Sequence, residues 1–281
     1  SAGAVVGTLT VTDPDSSDTY TYTLTGDDKD SFEVVNGQLK LKDSVTADYE
    51  NKTSYAVTVT ATDSGGASTS QAFSVSVNDT NDAPTLANAL SDQAATEDSA
   101  FNFTVPTNTF NDVDAGDSLT YTATLSDGSA LPSWLSFNTS TQTFTGTPVN
   151  ANVGTVTVTV TASDGSATVS DSFTLTVANT NDAPTAIALS ATAINENSAG
   201  AIVGDLTTTD EDTNDTHTYT LTGTDADSFE VVNGQLKLKD SVTADYENKT
   251  SYAVTVTATD SGGASTSQAF SVSVNNTNDA P

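Results

Sequence analysis

Tyr55-Ala56-Val57-Thr58-Val59-Thr60 and Val153-Gly154-Thr155-Val156-Thr157-Val158-Thr159-Val160 decide the fold. In both stretches an apolar or β-branched residue alternates with threonine. A strand turns successive side chains to opposite faces, so this period of two means a strand with one buried face. Turn-forming clusters follow such runs, as in Asp63-Ser64-Gly65-Gly66 and Ser126-Asp127-Gly128-Ser129. No window sustains a helical period. The chain reads as all-β.

Working outward, the first of these stretches belongs to an internal repeat. Residues Asp30 to Asn78 recur unchanged as Asp227 to Asn275, 49 positions at an offset of 197. The similarity continues upstream, where Ser1-Ala2-Gly3-Ala4 matches Ser198-Ala199-Gly200-Ala201. Three motifs punctuate the chain: Asn81-Asp82-Ala83-Pro84, Asn181-Asp182-Ala183-Pro184 and Asn278-Asp279-Ala280-Pro281. A proline there fixes φ and stiffens the connection. The expected domains are therefore 1–84, 85–184 and 185–281. Each has about seven short strands with turns every 8–12 residues, which suits a tandem array of immunoglobulin-like Greek-key β-sandwiches. By the offset, the first domain lacks the counterpart of residues 185–197, including Ala186-Ile187-Ala188-Leu189 and Glu196.

Composition excludes several functions. Against 37 Asp and Glu stand 7 basic residues, all lysine, for a formal charge of −30. Such a chain repels nucleic-acid backbones and anionic membrane surfaces. No apolar run approaches the roughly 20 residues that span a bilayer, and no leader segment is visible, so this piece is expected to be soluble, with any targeting signal outside it. There is no cysteine and a single histidine, His217. Disulfides and thiolate metal sites are ruled out, and no acid/base or nucleophile set supports an enzyme.

The acidic residues are not scattered. The turns Asp13-Pro14-Asp15-Ser16-Ser17-Asp18, Asp112-Val113-Asp114-Ala115-Gly116-Asp117 and Asp210-Glu211-Asp212-Thr213-Asn214-Asp215 share one spacing. A second acidic loop recurs at Asp63, Asp164 and Asp260. A third cluster, Asp48-Tyr49-Glu50, returns as Asp245-Tyr246-Glu247, and the linkers form a fourth. Like charges resist being gathered, and a hard divalent cation removes that resistance. Loops rich in loosely arranged oxygens favour calcium over magnesium, which demands a tighter octahedron. An EF-hand does not account for them: Asp210-x-Asp212-x-Asn214 is followed by Asp215 at the sixth position and Leu221 at the twelfth, where glycine and glutamate belong.

The Asp-Tyr-Glu triplet, the Asp-x-Asp turn, Asn195-Glu196-Asn197 and the Asn-Asp-Ala-Pro linkers resemble those of cadherin repeats. The resemblance covers the first and third domains almost end to end. The middle domain, with Leu131-Pro132-Ser133-Trp134-Leu135-Ser136-Phe137 and Phe144-Thr145-Gly146-Thr147-Pro148, is similar to the dystroglycan-type cadherin-like variety. Mixed arrays of this kind resemble very long bacterial surface adhesins, including the repeats-in-toxin class. The resemblance implies calcium ions between consecutive domains. At the first junction the implied ligands are Asp48, Glu50, Asp79, Asn81, Asp82, Asp112, Asp114 and Asp164. At the second they are Glu97, Asn181, Asp182, Asp210, Asp212 and Asp260. Asp13, Asp15 and Asp63 hold the matching places at the start of the first domain, and Glu196, Asp245 and Glu247 those at the far end of the third. The linker is one residue shorter than the vertebrate pattern, which leaves Asn78 and Asp79 competing for its first position.

These readings imply a calcium-stiffened spacer segment of a bacterial cell-surface adhesin. Its partners are neighbouring repeats of the same chain, with a glycan or a surface protein as an outside target. The alternative is a carbohydrate-binding module of a secreted polysaccharide-degrading enzyme, which would need an exposed aromatic platform. Trp134 is expected in the sandwich core. His217, aligned with Tyr20, is expected at an exposed or half-exposed strand position. Lys40 and Lys42 are expected to guard a sheet edge. The middle domain has Val149 and Ala151 where the first has Asp48 and Glu50, and Asn179 where the first has Asp79. The second junction is therefore expected to hold fewer or weaker ions.

Overall fold

A computed structural model describes residues 2–14 and 18–278; Asp15, and the Asp279-Ala280-Pro281 end of the third linker motif, lie outside the described residues. The architecture is nearly all-β. The first group of strands is β1 (Val5–Thr8), β2 (Thr21–Thr25), β3 (Phe32–Val35), β4 (Gln38–Leu41), β5 (Ser54–Thr62) and β6 (Ser68–Ser76). The middle group is β7 (Thr85–Leu86), β8 (Gln93–Thr96), β9 (Phe101–Thr104), β10 (Phe110–Asn111), β11 (Thr120–Leu125), β12 (Leu135–Asn138), β13 (Thr143–Gly146), β14 (Gly154–Ser163) and β15 (Thr168–Ala178). The last is β16 (Ala186–Leu189), β17 (Ala193–Asn195), β18 (Ile202–Thr209), β19 (Thr218–Thr222), β20 (Phe229–Val232), β21 (Gln235–Leu238), β22 (Ser251–Thr259) and β23 (Ser265–Asn275).

Each group builds two facing sheets over its own core. The sheets are β1-β4-β3 and β2-β5-β6 in the first group, and β16-β18-β21-β20 and β17-β23-β22-β19 in the last. In the middle group β8-β15-β14-β11 faces β9-β13-β12, with β7-β10 as a short extra pair. The alternating stretches become the central strands β5 and β14. Val57 and Val59 of β5, and Val158 and Val160 of β14, turn into the cores, while their threonines stay on the opposite face. The three cores contain separate sets of residues.

Two expectations need correction. Lys40 does not guard an edge: β4 is the middle strand of its sheet. Glu33 lies directly opposite on β3, and Lys40 pairs with Glu33 at 3.1 Å and with Asp43 at 3.0 Å. Lys237 repeats this arrangement with Glu230 and Asp240. A charge in a central strand is tolerated here because its cross-strand partner neutralises it. His217 precedes β19 rather than sitting in it, and its half-buried ring meets an aspartate described below.

The middle domain's tryptophan motif has a packing reason. Trp134 packs partly buried against the middle core, one residue before β12. Leu135 of β12 pairs with Gly146 of β13. A Cβ on Gly146 would come within 2.1 Å of the Trp134 carbonyl oxygen and 3.0 Å of Cε3 of its ring. The Gly146→Ala variant should lose about 1–3 kcal/mol of stability, because backbone cannot yield as a flexible side chain would. Thermal unfolding of the full chain checks this: the transition assigned to the middle domain should move down while the others stay.

Candidate metal centre

The acidic loops converge where one domain meets the next. In the middle domain the turn after β10 is closed by the Asp114 amide donating to Asp112 Oδ1 at 3.0 Å. The loop between β14 and β15 wraps around Asp164, whose Oδ1 accepts the amides of Ser166 and Ala167, both at 2.6 Å. The linker crosses between them. Asn81 Nδ2 donates to Asp164 Oδ2 at 3.1 Å, and the Asp82 amide donates to Asp114 Oδ2 at 2.7 Å. From the preceding domain, Glu50 reaches the same place. Glu50, Asp79 and Asp114 offer oxygens within 4.8 Å of one another, as do Asp112, Asp114 and Asp117. Asp79 is thus the linker residue that joins the first cluster. Asp48 has a carboxylate oxygen accepting the Asn51 amide.

The second junction repeats the frame. Asp212 N donates to Asp210 Oδ1 at 3.0 Å, Asp182 N to Asp212 Oδ2 at 2.7 Å, and Asn181 Nδ2 to Asp260 Oδ2 at 3.0 Å. Glu97, Asp182 and Asp212 form its three-oxygen group. Glu97 follows β8, and its Oε1 accepts the linker amide of Thr180 at 2.6 Å. The next residue, Asp98, sits at φ 56°, a left-handed conformation that aspartate and asparagine tolerate best. In the last domain Glu196 does the same, accepting the amides of Tyr246 and Thr277, with Asn197 at φ 63°. Glu196, Asp245 and Glu247 form a further group, and Asp13, Asp18 and Asp63 another at the opposite end of the chain.

The electrostatics of these groups divide by what each carboxylate faces. Burial is the first cause that pushes Asp117 above the ordinary carboxylate range, followed by the charges of Asp112, Asp114, Asp164 and Asp79. Asp182 is raised by burial and then by Asp98 and Glu97. Glu50 is raised too: its own backbone N–H pulls downward, but burial and the charges of Asp79, Asp114 and Asp82 outweigh it. Asp164 is instead lowered, by the amides of Ala167 and Ser166. Among the described residues every lysine ion pair lies within the first or the last domain, on Glu33, Asp43, Asp28, Glu230, Asp240 or Asp225. None neutralises a junction carboxylate.

The donor set fits a hard cation. Among the described residues five buried side-chain oxygens have no hydrogen-bond partner: Glu97 Oε2, Asp112 Oδ2, Asp114 Oδ1, Asp182 Oδ2 and Asp215 Oδ2. All belong to these junction loops. An unpaired buried polar atom costs about 1–3 kcal/mol, more when charged. An all-oxygen environment with loose geometry matches calcium, which takes six to eight such ligands. Sequence reasoning did not single out Asp18, Asp117 or Asp215 as ligands. The third aspartate of the shared turn spacing was the available signal. It marked Asn179 only as a lost carboxylate and did not single out Asn150; the donor role of both depends on contacts across the junction.

The aromatic side chains give the carbohydrate alternative no support. Among the described residues no aromatic is fully exposed. Phe103, Phe137, Phe144 and Phe173 cluster within the middle core.

Comparison with known proteins agrees with this fold. The Cadherin domain model matches residues 1–78 and 190–275, and the Putative Ig domain model matches residues 83–178. Over 147 residues, half of this chain, it is 31% identical to the Drosophila melanogaster protocadherin-like wing polarity protein stan. The matched stretch is 4% of that protein's length. The structure of PcdhgB3 EC1-4 superposes over 97% of this chain and 71% of its own, with a TM-score of 0.69 at 23% identity. Mouse Cadherin-23 EC22-24 superposes over 98% of this chain and 92% of its own, with a TM-score of 0.69 at 20% identity.

Proposed function

The chain belongs to the cadherin family, and from that premise we propose that it is a calcium-rigidified spacer segment of a bacterial surface adhesin. Family members are non-enzymatic adhesion proteins that bind calcium at their inter-domain linkers. The proposed units are 1–84, 85–184 and 185–281, with ions held by the carboxylates where consecutive units meet. The bacterial surface setting rests on the mixed domain types, the absence of cysteine and arginine, and the charge of −30. No helix among the described residues is long and apolar enough to cross a membrane.

The observation that carries this reading is the set of unpaired, buried carboxylate oxygens in the junction loops. Glu50, Asp79, Asn81, Asp82, Asp112, Asp114, Asp117 and Asp164 would hold calcium at the first junction. Glu97, Asn181, Asp182, Asp212 and Asp260 would do so at the second. Bound calcium supplies positive charge that lets these groups share one space; the chain's own part is to orient them. Asn81 and Asn181 tie each linker to the following domain, and Glu97 ties the second linker to the middle domain.

Small-angle scattering tests the mechanical consequence. In millimolar calcium the full chain should scatter as an extended rod of roughly 100 Å or more, taking sandwiches built of strands that rise about 3.3 Å per residue. Chelation should broaden the distance distribution, because the linkers become hinges between strongly repelling domains. An identical profile with and without calcium would reject a cation-dependent spacer.

A further inference from the structure

The two junctions differ at three donor groups, and the difference supports an inference that rests on the calcium reading above. At the first junction Asp112 Oδ2 and Asp114 Oδ1 are buried and unpaired. Their counterparts in the last domain are both occupied. The ring Nε2–H of His217 donates to Asp210 Oδ2 at 2.8 Å. Asn179 Nδ2 donates to Asp212 Oδ1 at 2.8 Å, and Asn150 Nδ2 approaches the same oxygen at 3.4 Å. The other oxygen of each of these four aspartates has the same kind of partner at both junctions: a turn amide on Asp112 and Asp210, and a linker amide on Asp114 and Asp212.

Three substitutions create the difference. His217 stands where the middle domain has Leu119, counting from the shared Asp-x-Asp turns. Asn179 stands where the first linker has Asp79. Asn150 belongs to the short 3-10 turn Asn150–Asn152, in the place of the Asp48-Tyr49-Glu50 triplet. One carboxylate, Asp79, has thus become an amide that donates to Asp212, the two carboxylates of the triplet have become Val149 and Ala151, and Asn150, in the place of Tyr49, adds a second amide donor. The orientation of Asn179 is fixed by a second donation, from Nδ2 to the Thr180 carbonyl at 3.1 Å.

We propose that at the second junction protein donors replace the cation that would bridge the linker to the Asp-x-Asp turn of the last domain. His217, Asn179 and Asn150 close that position and hold the domains together without metal. Asp215 Oδ2 is the unpaired oxygen left on this turn, too little for an ion that takes six to eight ligands. The position shared by Glu97, Asp182 and Asp212, where Glu97 Oε2 and Asp182 Oδ2 are buried and unpaired, stays open to calcium, so the position closed is the one further along the turn towards Asp210 and Asp215. The second junction is then a mixed one, part metal and part hydrogen bond.

The test installs the first junction's residues at the second. Calcium bound per chain is measured by equilibrium dialysis of the full chain against buffered calcium, for the parent, for Asp114→Asn, and for the double variant Asn179→Asp with His217→Leu. Melting curves in EDTA accompany each. Asp114→Asn should lose calcium. The double variant should gain about one ion per chain and melt lower than the parent in EDTA, since it has lost the metal-free closure. His217→Leu alone adds no charge and guards against misfolding; it should tighten calcium binding. If Asp114→Asn loses calcium while both His217 variants bind as the parent does, the closure is wrong and the calcium reading stands. If the parent binds no calcium, both readings fall.

Discussion

Chelation of the full chain should lower its main melting transition by about 10 °C or more, and magnesium should restore little of it. Each site occupied at 100 times its Kd stabilises the folded form by about 2.7 kcal/mol. For domains of 60–100 residues a change of 1 kcal/mol moves the midpoint by about 4–8 °C. Removing the ion does more than forfeit that binding energy. It leaves Glu50, Asp79, Asp112, Asp114 and Asp117 crowded together with no lysine to neutralise them. Superimposable melting curves in EDTA and in millimolar calcium would reject metal-dependent stability.

The pH dependence of the metal-free form supplies an independent sign. Glu50, Asp117 and Asp182 have folded-state pKa values raised above their ordinary ones. A raised carboxylate binds its proton more tightly in the folded state, so it adds stability in acid and loses it as pH rises through the folded value. In EDTA the midpoint should therefore climb as pH falls from 7 towards the ordinary carboxylate range of about 4–4.5. Asp164 and Glu196, lowered by backbone amides at the domain ends, act the opposite way, and so do Asp28 and Asp225. Lys52 and Lys249, followed by the amides of Ala56 and Ala253, lower the latter pair, and the contribution of all four is lost as pH drops further still. A metal-free midpoint that only falls on acidification would contradict the crowding.

The β-architecture was legible because alternation is the pleat itself. Tyr55 to Thr62 could bury Val57 and Val59 together only as a strand. The acidic loops were legible because identical spacing survived in a middle domain whose other residues differ. What escaped was contact at a distance. Lys40 reads as an edge charge until Glu33 is seen across the ladder. His217 reads as a variable surface ring until Asp210 is seen beside it. Tyr20, at the same position in the first domain, likewise hydrogen-bonds Asp13. Asn150 and Asn179 lie 62 and 33 residues from Asp212. No local pattern encodes such a meeting, because it depends on where the linker delivers one domain onto the next.

The first and last domains share 49 identical consecutive residues, yet they should not unfold together. In the last domain β16 pairs with the second half of β18, and β17 runs parallel to the end of β23. Those two strands put Ile187 and Ile194 into the core at 6% and 3% exposure. Among the described residues no strand pairs with β1 or β6 in this way, and the equivalent residues respond. Strand β18 spans Ile202–Thr209, whereas β1 stops at Thr8. Val203 is 4% exposed and its counterpart Val6 is 42% exposed. Val272 and Val274 are buried, but Val75 and Val77 are only half-buried. They line an open groove of about 670 Å³ together with Ala4, Ala47 and Phe73. Deleting one buried isoleucine side chain costs about 2–5 kcal/mol, and the described core of the first domain contains neither of the two. At about 4–8 °C for each kcal/mol, its transition should lie roughly 10 °C or more below that of the last domain. Hydrogen exchange read peptide by peptide distinguishes them where sequence differs: Thr8–Asp28 should lose protection well before Asp205–Asp225. A synthetic peptide of residues 185–197 should bind the groove by adding a strand to each sheet and narrow the gap. Coincident loss of protection in the two segments would mean that the missing strands contribute little, and that the shared residues alone set the stability of both domains.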